Sequence, residues 1–364
     1  MNVYRRVTPL IVVLLLTVLF VGVVTAHPTI DTAAPFPLEG AALKYKGITY
    51  LGTSSSDYLP SDSHNASLDA LKSTGANYAS VYVAWYSDTH TSNTIYGDPT
   101  KTASDASIID AINDIHARGM GVMLRPVVNT KDGNREFSPT NKAAWFASYA
   151  TFIDHYARIA QDHGVELLNI GCEVNGIDTS NYANWSTIIS GVRAIYSGPL
   201  TYGALWTRYK QVPFWNLLDY AGIQAYFPLS DAQTPSVADV VRGWSSYNYS
   251  GTVHDWLQEI ETWQATIKKP VIFTEIGYRS CDYAAQTYTW NESYNGLGQA
   301  NCYKATLKVF ANKPWFAGMF WWAWSPDPKV PGYAGEFTPQ NKPAQNVLTA
   351  DWLPWYVLIP SAPA

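Results

Sequence analysis

Apolar residues in this chain gather into eight short runs, at positions 46–52, 78–85, 121–128, 165–172, 200–205, 220–226, 271–274 and 317–322. Runs of this length bounded by turn residues read as buried strands. Strands that are apolar on both faces belong to parallel sheets. Helical spacing fills the intervals. In 106–118, Ile108, Ile109, Ile112 and Ile115 share one face, and similar patterns cover 142–163, 185–196, 253–267 and 299–312. The first helix, near 67–73, is short, and the fifth, near 214–218, is poorly marked. Gly119 and Gly164 end two helices, and Pro270 ends a third and opens the next strand. Regular alternation of strand and helix predicts βαβ units, and eight of them in roughly 320 residues predict an α/β fold, the (β/α)8 TIM barrel. The rival is a doubly wound open sheet. It would carry a glycine-rich phosphate loop after the first strand, and there is none here.

The long polar segments 88–104, 129–141, 227–252 and 278–298 all follow strands, on the face where barrels build their sites. Two glutamates close strands at that face. Glu173 ends VELLNIGCE on the fourth strand, and Glu275 ends PVIFTE on the seventh. A pair of carboxylates at one barrel mouth is the equipment for hydrolysing a glycosidic bond.

Composition narrows the partners. Of 364 residues, 47% are hydrophobic and 15% charged, with a net charge of −5 and no basic cluster, so a nucleic acid is not expected. The chain has 15 Trp and 25 Tyr. Most belong in a core and its surrounding shell, but an excess on loops after strands suits a sugar, whose C–H faces pack on indole rings. No cysteine or histidine spacing suggests a metal, and no cofactor is expected.

Arg5 and Arg6 precede an apolar stretch at 7–24, and Val24, Thr25 and Ala26 resemble a small-residue cleavage site. Residues 1–26 thus read as a signal peptide or a retained membrane anchor, with 27–40 a linker and 41–364 the barrel. Either reading places the barrel outside the cytoplasm, acting as a monomer on a polysaccharide or oligosaccharide. Cys281 and Cys302 are expected to close a loop as the only disulfide, leaving Cys172 as a small buried residue. The sequons at Asn65, Asn184, Asn248 and Asn291 matter only in a eukaryotic secretory host.

Three runs carry a family resemblance: GMGVMLRPVV at 119–128, FTEIGYRS at 273–280 and FWWAWSP at 320–326. With the two glutamates, they make the chain resemble glycoside hydrolase family 113, chiefly β-mannanases, within the retaining glycosidases of clan A. The resemblance spans about 46–327, nearly the whole barrel. It implies that Glu173 is the acid/base and Glu275 the nucleophile of a retaining endo-β-1,4-mannanase. It also implies that Tyr226 hydrogen-bonds the nucleophile and that Trp322 floors the sugar subsite at the cleavage point. Arg125, Trp85, Trp324 and Asn175 are further candidates from their positions at strand ends. Cys172 stands where most of the clan has an asparagine that binds the sugar 2-hydroxyl; family 113 also lacks it. Two alternatives stay open: a glycosidase of the same fold acting on a β-glucan or chitosan-like polymer, and a non-catalytic carbohydrate-binding barrel. Both glutamates argue against the second.

Overall fold

The computed structural model describes residues 43–52, 57–286, 293–327 and 336–353. The expected leader, the linker, the Asn291 sequon and part of the 278–298 loop lie outside the described residues.

The barrel strands are β1 (Tyr45–Tyr50), β2 (Tyr78–Ser87), β3 (Gly121–Thr130), β4 (Leu167–Cys172), β5 (Leu200–Leu205), β6 (Ala221–Gln224), β9 (Val271–Ile276) and β10 (Phe316–Trp324). They close in the order β1-β10-β9-β6-β5-β4-β3-β2, and every pairing is parallel. The helices are α1 (Asp62–Ser73), α2 (Asp105–Ala117), α3 (Lys142–Asp162), α4 (Tyr182–Ile195), α5 (Val237–Ser245), α6 (Trp256–Ile267), α7 (Gly296–Phe310) and α8 (Pro343–Trp352). Their starts are written in the sequence. Ser61, Ser104, Asn141, Asp255 and Asn295 each accept a backbone N–H three residues on.

The poorly marked fifth helix is replaced by two 3-10 turns, Tyr209–Gln211 and Trp215–Leu217. The polar segment 227–252 holds α5 and most of a hairpin, β7 (Tyr247–Tyr249) with β8 (Thr252–His254). That hairpin takes the first residues expected of the sixth helix. Its strands have only three residues each, too few for periodicity to register.

Side chains fill the barrel in layers. Tyr45, Met123, Leu167, Ile272, Ala317 and Phe320 close its lower half, with Tyr78 and Tyr220 packed against them. Above them Gly222 lies so close to Thr201 and Thr274 that an added Cβ would sit 2.9 and 2.7 Å from their side chains. Strand alternation then carries the next inward residues to the mouth: Arg125 two beyond Met123, Tyr82 four beyond Tyr78, Trp322 two beyond Phe320. Outside the barrel, the aromatic residues form a shell. Trp321 stacks on Tyr303 of α7 at 3.8 Å, Trp145 on Tyr149, and Trp185 on Phe214. Most of the aromatic excess is therefore packing.

Cys281 and Cys302 are both buried, and no disulfide joins them, contrary to expectation. Sequence spacing says nothing about whether two Cβ vectors converge, which a disulfide requires. Cys302 lies on the inner face of α7, where its thiol adds to the burial that holds the Tyr278 hydroxyl well above its usual range.

Candidate active site

Period-2 alternation does not by itself deliver the site. Leu167 and Asn169 would send Cys172 outward, but β4 shifts register against β5 between Asn169 and Cys172. Cys172 therefore turns inward, and its Sγ accepts hydrogen bonds from Arg125 Nη2 at 3.3 Å and Gln224 Nε2 at 3.0 Å. A second shift, between β6 and β9, pairs Gln224 with Glu275 directly after Ile223 with Phe273. It brings Glu275 into the mouth although Ile272 and Thr274 already face inward.

Glu275 is held from both sides. Arg125 Nη2 donates to Oε2 in a short ion pair, and the Tyr226 hydroxyl donates to Oε1 at 2.6 Å. Arg125 is buried and lies against two rings, with Cζ 5.0 Å from the centroid of Trp322 and 5.7 Å from that of Tyr82. Glu275 raises the Arg125 guanidinium well above its usual range, against the opposing effect of its burial. The Glu275 carboxylate thus accepts from two donors, one of them a buried cation.

Glu173 is in the opposite situation. It lies just past β4 in the left-handed region, with φ +47°, and its N–H donates to the Gly203 carbonyl at 2.8 Å. Its carboxylate has an Arg135 Nε at 3.5 Å, and that cation is partly exposed. Burial raises the Glu173 carboxyl above its usual range, Arg135 and Arg125 oppose this, and the charges of Glu275 and Asp178 reinforce it. One carboxylate is thus bonded by two donors, while burial pushes the other towards its protonated form.

Of the other expected residues, Trp322 is half-buried beside Arg125 and edge-on to Tyr82 at 5.9 Å, on the site side of β10. The Trp322–Ala323 peptide is cis. Trp324 is buried, and its indole N–H is tied to the Ser67 carbonyl and hydroxyl on α1. It also forms part of the wall of a groove of about 550 Å3 that runs from Trp322 past His64 to Phe337. Asn175 lies in the loop after β4, pinned by its carbonyl accepting the Phe137 N–H at 2.8 Å.

Trp85 does not belong to this group. Its indole N–H donates to the Tyr156 hydroxyl at 2.8 Å, and its ring packs on Phe152 and His155 of α3. Seven residues beyond the inward Tyr78, it has an outward parity, and the alternation is unbroken because β2 and β3 pair without a shift.

Arg135, Gln224 and Tyr82 were missed as site residues. Tyr82 and Gln224 were findable as inward positions of β2 and β6. Arg135 comes from an irregular loop, where no periodic signal exists. Among the described residues, no group of His, Cys, Asp or Glu is arranged to hold a metal ion, and no helix is long and apolar enough to cross a membrane.

Two carboxylates at one barrel mouth suit glycosidic-bond hydrolysis, the chemistry of the glycoside hydrolases. Residues 48–336 match the model of Glycoside Hydrolase Family 113, and the chain belongs to that family. The family 113 β-mannanase of Alicyclobacillus acidocaldarius, solved in complex with ManMIm, is similar at 25% identity and a TM-score of 0.73. The likeness covers 86% of this chain and 98% of that one. Another solved family 113 β-1,4-mannanase is 24% identical, with a TM-score of 0.73 over 86% and 99% of the two chains. The β-glucuronidase of Faecalibacterium prausnitzii shares the fold at 15% identity and a TM-score of 0.57, over 87% of this chain and 49% of that one. A comparison with curated protein sequences finds no match.

Proposed function

We propose that this protein cleaves β-1,4-linked mannan within the chain by double displacement, with Glu275 as nucleophile and Glu173 as acid/base. The carrying observation is the contrast between Glu275, held by Arg125 and Tyr226, and Glu173, whose carboxyl is raised by burial. In the first step a Glu275 carboxylate oxygen bonds to the anomeric carbon as the glycosidic C–O bond breaks. The Glu173 proton passes to the departing oxygen. In the second step Glu173 takes a proton from water, the water oxygen bonds to the anomeric carbon, and Glu275 leaves as carboxylate.

The choice of mannan is supported by the β-mannanases that the barrel resembles. The groove running from Trp322 gives a polymer room beyond one sugar. The apolar segment at 7–24 supports a site of action outside the cytoplasm.

Product analysis on mannan, glucomannan, cellulose, laminarin and chitosan tests the reading. Mannan and glucomannan should be cut to oligosaccharides whose new reducing ends first appear as the β-anomer. Glu275→Ala should abolish turnover on all of them. Cleavage of a different polymer with mannan left intact would overturn the substrate, and near-normal activity of Glu275→Ala would overturn the nucleophile.

A further inference from the structure

The left-handed turn at Glu173 is backed by a buried chain of hydrogen bonds. The next residue, Val174, donates its N–H to the Tyr202 hydroxyl oxygen at 3.0 Å. That hydroxyl donates to Asp178 Oδ2 at 2.8 Å. Asp178 closes the ring by donating its own N–H to the Val174 carbonyl at 3.2 Å. Tyr202 stands on β5, and Gly171 of β4 allows it in: an added Cβ there would lie 2.2 Å from the Tyr149 hydroxyl and 3.1 Å from the Tyr202 ring.

Asp178 and Tyr202 are both fully buried, and Asp178 Oδ1 has no hydrogen-bond partner. The nearest cation in charge terms is Arg208, which is itself bonded to both carboxylate oxygens of Glu136 at 2.8 Å. A buried carboxylate without a cation at bonding distance is costly. An asparagine would accept the Tyr202 hydroxyl equally well, so the hydrogen bond alone does not account for a charge here. The acid five residues upstream does. We propose that Asp178 and Tyr202 are positioning residues for Glu173: they fix the turn that aims it and place a negative charge behind it.

The charges that face each group are defined. Glu173 meets Arg135 from the loop after β3, Arg125 from β3, Glu275 from β9, and Asp178. Asp178 meets Tyr202 from β5, Arg208 from the loop after β5, Glu136 from the loop after β3, and Tyr149 from α3. Burial pushes the Asp178 carboxyl up to about 6, so its charge is present near neutral pH. A negative charge behind Glu173 keeps its proton on to higher pH.

This inference rests on the reading of Glu173 as the acid, and two measurements separate the two. The first is a carbon-13 titration of the Glu173 carboxyl, assigned with Glu173→Gln, in wild type and in Asp178→Asn. It needs no substrate. The Glu173 midpoint should fall in Asp178→Asn, and an unchanged midpoint would overturn the charge role. The second compares kcat/KM for a mannooligosaccharide with that for a 2,4-dinitrophenyl mannoside, whose first step needs little protonation. In Tyr202→Phe the oligosaccharide value should drop about 10-fold or more while the dinitrophenyl value holds within about twofold. Equal losses on both, or no loss on either, would overturn the positioning role. A wild type that cleaves neither substrate would refute the functional reading, and the titration would still judge the clamp.

Discussion

Arg125 and Glu275 meet at the barrel mouth as a nearly dry ion pair, with side chains 3% and 10% exposed. Their carriers β3 and β9 are not neighbours in the sheet, so the pair spans the barrel interior. Removing one partner of a buried pair strands the other charge, at a cost of about 3–5 kcal/mol. Arg125→Met should therefore lower the thermal midpoint and abolish most turnover together. Arg125→Lys should recover part of the stability but little activity, since a point charge cannot lie flat on Trp322 while bonding Glu275. Melting curves and kcat/KM on the same preparations check this, and a fully active Arg125→Met would contradict it.

Tyr226→Phe removes one donor from Glu275 and leaves the ring in place against Phe337. A hydrogen bond to a charged group contributes about 1.5–3 kcal/mol. Lost from the transition state, that is about 10- to 100-fold in kcat/KM. The expected outcome is a fall of this size with a folded protein, read by steady-state kinetics beside circular dichroism.

Adjacent tryptophans should separate packing from catalysis. Trp321 is fully buried against Tyr303, so Trp321→Ala should cost about 3–5 kcal/mol of stability while turnover per folded molecule stays near normal. Trp322→Ala opens the site instead and should lower turnover far more than the midpoint. The reverse pattern would put the strand one residue out of register.

Two buried groups set opposite pH trends in stability. Glu173 has a raised carboxyl, so the unfolded chain loses this proton near 4.3 while the folded chain keeps it. Stability from this group is therefore lost as pH rises from the unfolded value to the folded one. Glu173→Gln lacks the effect, and its midpoint should gain on wild type as pH goes from 4 to 7.

Lys342 behaves in the other sense. It is buried, donates to Ser280 Oγ at 2.9 Å, and burial pulls its ammonium down to about 8. The unfolded lysine holds its proton to about 10.4, so the penalty is complete below pH 8 and fades as pH rises. Lys342→Met should be favoured over wild type at pH 7 and lose that advantage by pH 10. A midpoint difference that is constant across this range would show that the penalty is absent.

The eight apolar runs and the helical stretches between them determined the barrel, because a strand buried on both faces must be apolar throughout and a crossover helix only on one side. The same local signal placed Glu173 and Glu275 at strand ends, and it placed Arg125 on an inward position, since alternation from Met123 is unbroken where β3 pairs with β2. What the sequence could not carry was anything set by two strands at once. The register shifts that turn Cys172 and Glu275 into the mouth exist only between neighbouring strands. Trp85 points to α3 because β2 has no such shift, Arg135 reaches Glu173 from an irregular loop, and Cys281 and Cys302 stay unjoined across elements whose relative placement no spacing encodes. Periodicity is a property of one segment in isolation. Pairing, register and burial of charge arise from contacts between segments far apart in the chain, and these appear only once the barrel has closed.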